Sequence, residues 1–319
     1  MNEFDIIKQY FDSQKEKRAD VLCGIGDDAA IVKPKADEAL VITTDTLVAD
    51  VHFFHSSSPY DIAYKSLAVN LSDLAAMGAR PAWITLALTL PNDDEEWLAQ
   101  FSKGLFHLAN QYHIQLIGGD LTHGPLSVTI TAFGFVPTQK ALLRSHAKPS
   151  DLIYVTGTLG DAGLALAYLN KKIKLNANDA DIVLKRFYRP EPRLAIGEQI
   201  RDIAHAAIDI SDGLAADLNH ILKASHVGAN IIVDALPLST TLKQALPQNQ
   251  AIELALTAGD DYELCFTVPS NMKEALEKKL SSIECHYTCI GNIRVQLGLD
   301  LHDQHGKPYE GNILGYQHF

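Results

Sequence analysis

The chain has few cysteines, and this scarcity narrows the chemistry it can perform. Only 4 of its 319 residues are cysteine, and Cys285 and Cys289 form a CxxxC spacing with no second pair close by in the sequence. A zinc site would need that second pair, so the cysteines are interpreted as thiols in a reducing compartment.

Positive charge and long apolar runs are also scarce. Lysine and arginine number 27 against 39 aspartates and glutamates, for a net charge of −12. Binding to a nucleic acid backbone depends on basic surface, so nucleic acid is disfavoured as a partner, whereas a magnesium–nucleotide complex is not. No stretch reaches the ~18 apolar residues of a membrane helix, and the start, MNEFDIIKQYFDSQ, lacks the apolar run of a signal peptide. We expect a soluble, cytoplasmic protein with no membrane partner.

Familiar catalytic signatures are missing as well. The sequence contains no GxxxxGK[ST], which excludes a P-loop enzyme, and no GxSxG or HExxH. The glycines at 157, 160 and 163 have a GxxGxxG spacing that does not match the dinucleotide-binding fingerprint. The chemistry must therefore come from other residues.

What the chain has instead is a set of acidic clusters among glycines, small hydroxyl residues and apolar residues. They are GIGDDAA (24–30), ITTDTLV (42–48), NLSDLAAMGA (70–79), IGGD (117–120), IDISDG (208–213) and AGDDYE (258–263). Carboxylates packed together cost free energy unless cations neutralise them. Magnesium takes oxygen ligands from carboxylates, water and phosphates. The pattern predicts a site where several divalent cations hold a polyphosphate.

Two of these acids illustrate the alternatives. Asp45 follows Thr43 and Thr44 at the expected end of a strand over 39–44, where it is either a turn residue or a magnesium ligand. Asp73 lies on a mainly apolar helix face, with no lysine or arginine three or four residues away. A carboxylate there is either held by a tertiary salt bridge or bound to metal, and both remain open.

The aspartates that follow glycines also have more than one interpretation. The segments 24–28 and 118–120 place aspartates after glycines, a pattern that also describes simple turns. In 209–213, two aspartates and a serine precede Gly213, which is expected to open a helix. Amides at a helix N-terminus attract phosphate, and the two aspartates would repel it unless a cation intervenes.

Apolar periodicity predicts two domains, 1–147 and 148–319, separated within the polar stretch 144–151. The predicted strands are 39–44, 81–90, 114–117, 127–136, 152–157, 206–210, 230–234, 262–268 and 287–293. The predicted helices are 59–77 with Ser58 as N-cap, one from Asn92 with Glu95 in the capping-box position, one capped by Thr158 and running to 169, 193–206, 213–225 and 270–281. This alternation predicts an α/β (α+β) fold with a layered second domain.

Taken in order, the motifs resemble those of the thiamine-monophosphate kinase family. They are TTDTLVADVHF, AVNLSDLAAMGARPAW, LIGGD, YVTGTLGD, DISDGL and GDDYELCFTVP, and the likeness runs from GIGDDAA to GYQHF at the end. The family belongs to a superfamily with aminoimidazole ribonucleotide synthetase and selenophosphate synthetase. The resemblance implies a two-domain aminoimidazole ribonucleotide synthetase-like fold, in which the N-terminal sheet forms a β-barrel across a homodimer and a layered α/β domain follows.

The resemblance also implies an activity: the γ-phosphoryl group of ATP passes in line to thiamine monophosphate, giving thiamine diphosphate in the last step of its biosynthesis. Several Mg²⁺ ions assist, and no residue acts as acid or base. The implied metal ligands are Asp28, Thr43, Thr44, Asp45, Asp73, Asp120, Asp209 and Asp212. Asp27 is expected to support these ligands without binding the metal itself. The implied ATP contacts are Gly119, Asp120, Arg144 and Ser211. The implied contacts to thiamine monophosphate are His52, Tyr316 and Asp260, where many relatives have glutamate.

Two rival hypotheses stay open. Another ATP-dependent member of the superfamily is one, although the segment from Cys23 to Asp28 lacks the lysine expected of a selenophosphate synthetase. The other is a non-catalytic protein whose acids bind divalent ions only to stabilise the fold.

Overall fold

The structure, a computed structural model, describes residues 2–14, 16–311, 313, 315 and 316. It divides into two compact units. The first comprises Met1–Leu74 and Ala79–Gln139, and the second comprises Ala75–Gly78 and Lys140–Phe319. The predicted boundary after residue 147 lies a few residues further along the chain. Across the described ranges, no helix combines the length and apolar character needed to cross a membrane.

The first unit is built on a four-stranded sheet with strand order β3-β6-β4-β5. β4 and β5 are parallel, and the other neighbours are antiparallel. A separate antiparallel pair, β1 and β2, precedes it. The strands are β1 (Val21–Cys23), β2 (Ile31–Val32), β3 (Glu38–Val48), β4 (Arg80–Leu90), β5 (Gln115–His123) and β6 (Ser127–Pro137). The helices are α1 (Glu3–Ile6), which continues as a π-helical turn (Ile7–Phe11), α2 (Pro59–Ala76) and α3 (Glu95–Gln111).

Capping side chains set the starts of the two long helices. Ser58 Oγ accepts the amide of Asp61 at 3.1 Å and donates to its carboxylate at 2.7 Å, so α2 begins as predicted. The predicted start of α3 at Asn92 is wrong. The carboxylate of Asp94 accepts the amides of Glu96 and Trp97 at 3.0 and 3.1 Å, which makes Asp94 the cap.

Two strands run further than predicted. β3 continues to Val48 because all of its residues pair with β6, and its β-branched threonines favour an extended chain. β5 passes through Gly118 and Gly119 to His123 while pairing with β4. Asp45 and Asp120 therefore lie inside strands, and the expectation that each follows the end of a strand is wrong.

The second unit is built on a six-stranded sheet with strand order β12-β9-β11-β7-β10-β8, in which β12 and β9 are parallel and the other neighbours antiparallel. Its strands are β7 (Asp151–Thr156), β8 (Ala206–Asp209), β9 (Gly228–Ile232), β10 (Leu264–Pro269), β11 (Tyr287–Arg294) and β12 (Gly298–His302). Its helices are α4 (Asp161–Leu169), α5 (Ala177–Tyr188), α6 (Leu194–Ile200), α7 (Leu214–Ser225), α8 (Thr240–Ala245), α9 (Gln248–Thr257) and α10 (Lys273–Leu280).

Helix α4 begins later than predicted. Gly160 takes the left-handed conformation with φ +86° directly before the helix, so Asp161 is its first residue. Thr158 contributes by donating its hydroxyl to the carboxylate of Asp161 at 2.6 Å. α6 ends at Ile200 and is shorter than the predicted 193–206.

The core of the second unit fixes the position of α7. Ile153 of β7, Ile208 of β8 and Leu218 and Ile221 of α7 are all buried in one cluster. The buried residues of α7, such as Leu214, Leu218 and Ile221, recur at helical spacing, so one face of the helix packs against the sheet. The loop 210–213, between β8 and α7, is held at both ends by this packing.

Candidate active site

In the first unit, two carboxylates and a hydroxyl meet between β3 and α2. Thr43 and Asp45 lie two residues apart in a strand, so their side chains share one face of the sheet. The Thr43 hydroxyl donates to the carboxylate of Asp73 on α2. Burial, and then the negative charge of Asp73, raises the pKa of Asp45 to about 6. The pair is an electrostatic cost in the protein alone, and a cation bound to it would relieve that cost.

Thr44 faces the other way. Its hydroxyl forms a hydrogen bond with that of Thr131 at 2.9 Å, and the next outward pair, Thr46 and Thr129, repeats this at 2.8 Å. Alternation along the continuous strand therefore places the Thr44 hydroxyl on the face opposite the side chains of Thr43 and Asp45.

A groove of about 600 Å³ lies beside β4 and β5. Its polar lining is the loop between β1 and β2, with Asp27 and Asp28, together with the stretch Gly118–Asp120 of β5. The Asp27 carboxylate accepts the amide of Asp28 at 2.9 Å, which tightens this loop. The structure thus brings Asp28, Gly119 and Asp120 to one cavity.

Gly119 is required by its surroundings. A Cβ atom at this position would lie 1.9 Å from the carbonyl oxygen of Leu86, whereas one at Gly118 would have no neighbour within 4 Å. The close approach of β5 to β4 depends on the missing side chain at position 119.

The sheet register places Asp120 on the opposite face from Asp45. Asp120 pairs with Ala87, which pairs with Thr129, and Thr129 in turn pairs with Thr46. Cross-strand partners share a face, and Thr46 and Asp45 are consecutive residues that point to opposite faces. The acids of this unit therefore form two sets: the Asp45–Asp73 pair and the groove.

His52 follows β3 closely. Its Nδ1 accepts the backbone amide of Val48 at 3.1 Å, so the neutral ring carries its proton on Nε2. The hydrogen bond fixes the ring beside the end of the strand that carries Asp45.

In the second unit, the acids converge on the loop 210–213. Asp209 ends β8 and is buried. The backbone carbonyl of Ser211 accepts the amide of Asp260 at 2.9 Å, and that of Asp212 accepts the amide of Tyr316 at 3.0 Å. The predicted cluster of Asp209, Ser211 and Asp212 is thus joined by Asp260 and Tyr316, which come from other parts of the sequence.

The amides of this loop are not available to phosphate. Those of Ser211, Asp212 and Gly213 donate to one carboxylate oxygen of Asp217 at 3.0, 3.0 and 3.1 Å. Burial raises the pKa of Asp217 to about 7, although the three donors favour its ionised form. The expectation that these amides bind phosphate is wrong. The sequence contained one sign that these amides are occupied: Asp217 lies in the first turn of the helix that follows Gly213.

Arg144 stands apart from this loop within the second unit. Its carbonyl accepts the hydroxyl of Ser225, the last residue of α7, at 2.8 Å. The twelve residues of α7 separate that end from Gly213 by about 18 Å. The structure therefore does not place the backbone of Arg144 beside Ser211.

A buried charge cluster next to the loop was not predicted. Glu263 is fully buried, and its carboxylate accepts Thr156 Oγ1 at 2.6 Å, Arg186 at 2.6 Å and Arg193 at 2.6 and 2.7 Å. Burial acts to raise the pKa of Glu263, but the two guanidinium groups outweigh it and hold the pKa below its ordinary value. The carboxylate of neighbouring Asp261 accepts the amide of Gly160 at 2.7 Å, and burial raises its pKa to about 8.

The donor set fits magnesium. Among the residues that the structure describes, no group of three or more histidine, cysteine, aspartate or glutamate side chains could hold a metal ion by itself. Magnesium commonly keeps several waters and takes one or two carboxylates plus substrate phosphates, whereas structural zinc sites need four nitrogen or sulfur ligands. A carboxylate pair with a hydroxyl beside it, such as Asp45, Asp73 and Thr43, offers the first kind of site.

Comparison with known proteins identifies first the class and then the family. Residues 26–136 match the N-terminal domain of AIR synthase related proteins, and residues 148–302 match the C-terminal domain of the same class. The chain belongs to the thiamine-monophosphate kinase family. It is 51% identical over 318 residues to the thiamine-monophosphate kinase of Escherichia coli K12, covering 99% of this chain and 98% of that one. The Bacillus subtilis 168 enzyme is 39% identical, with 92% of each chain covered.

Solved structures agree. A thiamine-monophosphate kinase from Stenotrophomonas maltophilia K279a is 45% identical with a TM-score of 0.89, covering 97% of this chain and 98% of that chain. AaThiL complexed with AMPPCP and TMP is 31% identical with a TM-score of 0.77, covering 99% and 96%. The family resemblance of the motifs and the two-domain α/β fold are confirmed.

Proposed function

We propose that this chain transfers the γ-phosphoryl group of ATP to thiamine monophosphate, giving thiamine diphosphate and ADP. The observation that carries the proposal is the full-length likeness to thiamine-monophosphate kinases, one of which has been seen with AMPPCP, an ATP analogue, and TMP. The acidic sets described above supply oxygen ligands of the kind that a magnesium-dependent phosphoryl transfer uses.

Magnesium ions, when bound, neutralise the charge on the phosphate oxygens. The residues proposed to hold them are Asp28, Thr43, Thr44, Asp45, Asp73, Asp120, Asp209 and Asp212. Thr43 and Asp45 act from the buried side of β3, and Thr44 takes part through its backbone carbonyl, because its side chain faces away. The closeness of Asp45 to Asp73 supports this assignment, since a bound cation turns their repulsion into attraction.

The substrates are assigned to the remaining site residues. We place ATP at Gly119 and Asp120 in the groove, with Ser211 and Arg144 as further contacts, and thiamine monophosphate at His52, Asp260 and Tyr316. The attacking group is a phosphate oxygen that is already ionised at neutral pH, so in-line transfer requires no general base and no phosphoenzyme. The protein's contribution is to position the two phosphates and to neutralise their charge.

We also propose a cytoplasmic homodimer, in which residues 1–147 bind ATP and magnesium and pair their sheet with a second copy to form a β-barrel. The side chains of Leu40 and Ile42 support this pairing, because they are 40% and 57% exposed on the sheet face opposite Asp45. A second sheet would cover them. Sedimentation equilibrium distinguishes the dimer from a monomer.

The decisive experiment incubates the purified protein with ATP, Mg²⁺ and thiamine monophosphate and separates the thiamine species by chromatography. Thiamine diphosphate should appear in step with ADP, and Asp45→Asn should abolish its formation. If another acceptor is phosphorylated and no thiamine diphosphate forms, the assignment is wrong. Calorimetry tests the non-catalytic alternative, which requires divalent-ion binding that is indifferent to ATP.

A further inference from the structure

We propose that Asp217 is a positioning residue for the loop 210–213 of the second unit. By holding the loop 210–213 it sets the position of side chains that bind magnesium and both substrates. The inference rests on the proposed function, which assigns those roles to the loop and its neighbours.

The amide side of the loop depends on Asp217. One of its carboxylate oxygens accepts three consecutive amides, those of residues 211–213, at 3.0 to 3.1 Å. Because all three amides share one acceptor atom, they are released or displaced together when that atom is lost or moved. The side chain is buried, and the backbone amide of Asp217 bonds to the carbonyl of Gly213 at 3.0 Å, so the first turn of α7 fixes it in place.

The carbonyl side of the same loop carries the substrate contacts. Asp260 and Tyr316, the residues assigned to thiamine monophosphate, are tied by their backbone amides to the carbonyls of Ser211 and Asp212 at 2.9 and 3.0 Å. A shift of the loop therefore moves four assigned residues together. Asp217 is buried and acts through this shared backbone.

Close packing transmits such a shift. A Cβ atom on Gly213 would lie 2.8 Å from the carbonyl oxygen of Thr257, and one on Gly259 would lie 2.5 Å from that of Ser211. With so little clearance, the loop cannot relax around a lost hydrogen bond without displacing the segment 257–260.

The test compares Asp217→Asn with a matched control, Asp151→Asn. Asp151 is also buried and also accepts a backbone amide, that of Lys148, at 2.9 Å, in addition to His205. It pairs with Pro269, at the other end of β10 from the residue that pairs with Asp209. The control therefore removes a buried carboxylate of the same unit at a distance from the loop.

In Asp217→Asn we expect the KM for thiamine monophosphate and the Mg²⁺ concentration for half-maximal rate to rise, with kcat/KM falling about 10- to 100-fold, as is usual when a residue supporting metal ligands is changed. Hydrogen–deuterium exchange should accelerate in the peptide 208–218. Asp151→Asn should leave both constants and this exchange unchanged. A purely structural role would lower the amount of active enzyme, and so the apparent kcat, in both variants while leaving both constants at their wild-type values.

Wild-type constants in folded Asp217→Asn, or unchanged exchange of 208–218, overturn the proposal. If that variant does not fold, Asp217→Glu keeps the charge while displacing it by one methylene, and the same rise in KM is expected. The exchange measurement needs no turnover. Should the wild-type protein make no thiamine diphosphate, the proposed function fails, while the exchange of 208–218 still decides whether Asp217 holds the loop.

Discussion

Replacing Glu263 by glutamine should destabilise the second unit severely. The buried carboxylate is held by Thr156, Arg186 and Arg193 through four hydrogen bonds of 2.6 to 2.7 Å. Glutamine has nearly the same shape but no charge, and its amide group would face a guanidinium, which leaves buried positive charge uncompensated. Breaking a buried ion pair on one side costs about 3–5 kcal/mol. With an m-value of about 2–3 kcal/mol/M, the urea midpoint should fall by about 1–2.5 M.

The assay is urea unfolding followed by circular dichroism, because both tryptophans, Trp83 and Trp97, lie in the first unit. The matched control is Glu191→Gln. Glu191 contacts Arg193 at 2.9 Å, but its side chain is 65% exposed, so its loss should cost less than about 1 kcal/mol. Equal losses in the two variants, or a loss below about 1 kcal/mol for Glu263→Gln, would refute the argument that burial makes this ion pair important.

The ion pairs of Glu263 with Arg186 and Arg193 also make the stability of the protein depend on pH. The pKa of Glu263 in the folded protein lies below its ordinary value of 4.5. Its stabilising contribution is therefore present above the unfolded-state pKa and is lost as the pH falls through the lower folded value. Wild-type stability should drop in acid by more than that of Glu263→Gln.

Two further outcomes follow from the first unit. Asp45 has a folded pKa of about 6, above its ordinary value of 3.8. With EDTA present, Asp45→Asn should be more stable than wild type at pH 7.5, and this advantage should shrink between pH 6 and 4 as wild-type Asp45 takes up its proton. A constant advantage in urea unfolding contradicts that pKa. Gly119→Ala should lose about 1–3 kcal/mol by overpacking against Leu86, while Gly118→Ala, with open space around its Cβ, should unfold at the wild-type midpoint.

Local chemistry made several elements predictable from the sequence. The serine–proline–aspartate start of α2 was enough to place its first residue, because capping depends on side chains within one turn. β4 and β6 were found from apolar and β-branched runs. The order of the motifs along the chain identified the family.

The wrong predictions for the strands that contain Asp45 and Asp120 have one cause: contacts with strands distant in the sequence. Thr43 to Asp45 resembled a strand end because polarity increases there, yet pairing with β6 keeps the chain extended to Val48. The pair of glycines before Asp120 resembled a turn, yet Gly119 serves the close contact with Leu86 inside a strand. Partners distant in sequence decided both cases.

Longer-range contacts explain what was missed altogether. Glu263 meets Arg186 and Arg193 only after β10 is placed beside the segments that carry them. Asp217 bends back onto amides four to six residues earlier, a pattern that differs from the usual cap at the residue before the helix.

The carboxylate that occupies the amides of residues 211–213 also has a consequence for inhibitor discovery. A bare sulfonate or phosphonate binds well at a helix start whose backbone amides are free. At this helix start Asp217 already takes all three donors, and a bare anion would face the aspartates of the loop. Under the proposed assignment of magnesium to Asp209 and Asp212, compounds aimed at this loop should instead carry a metal-chelating head group.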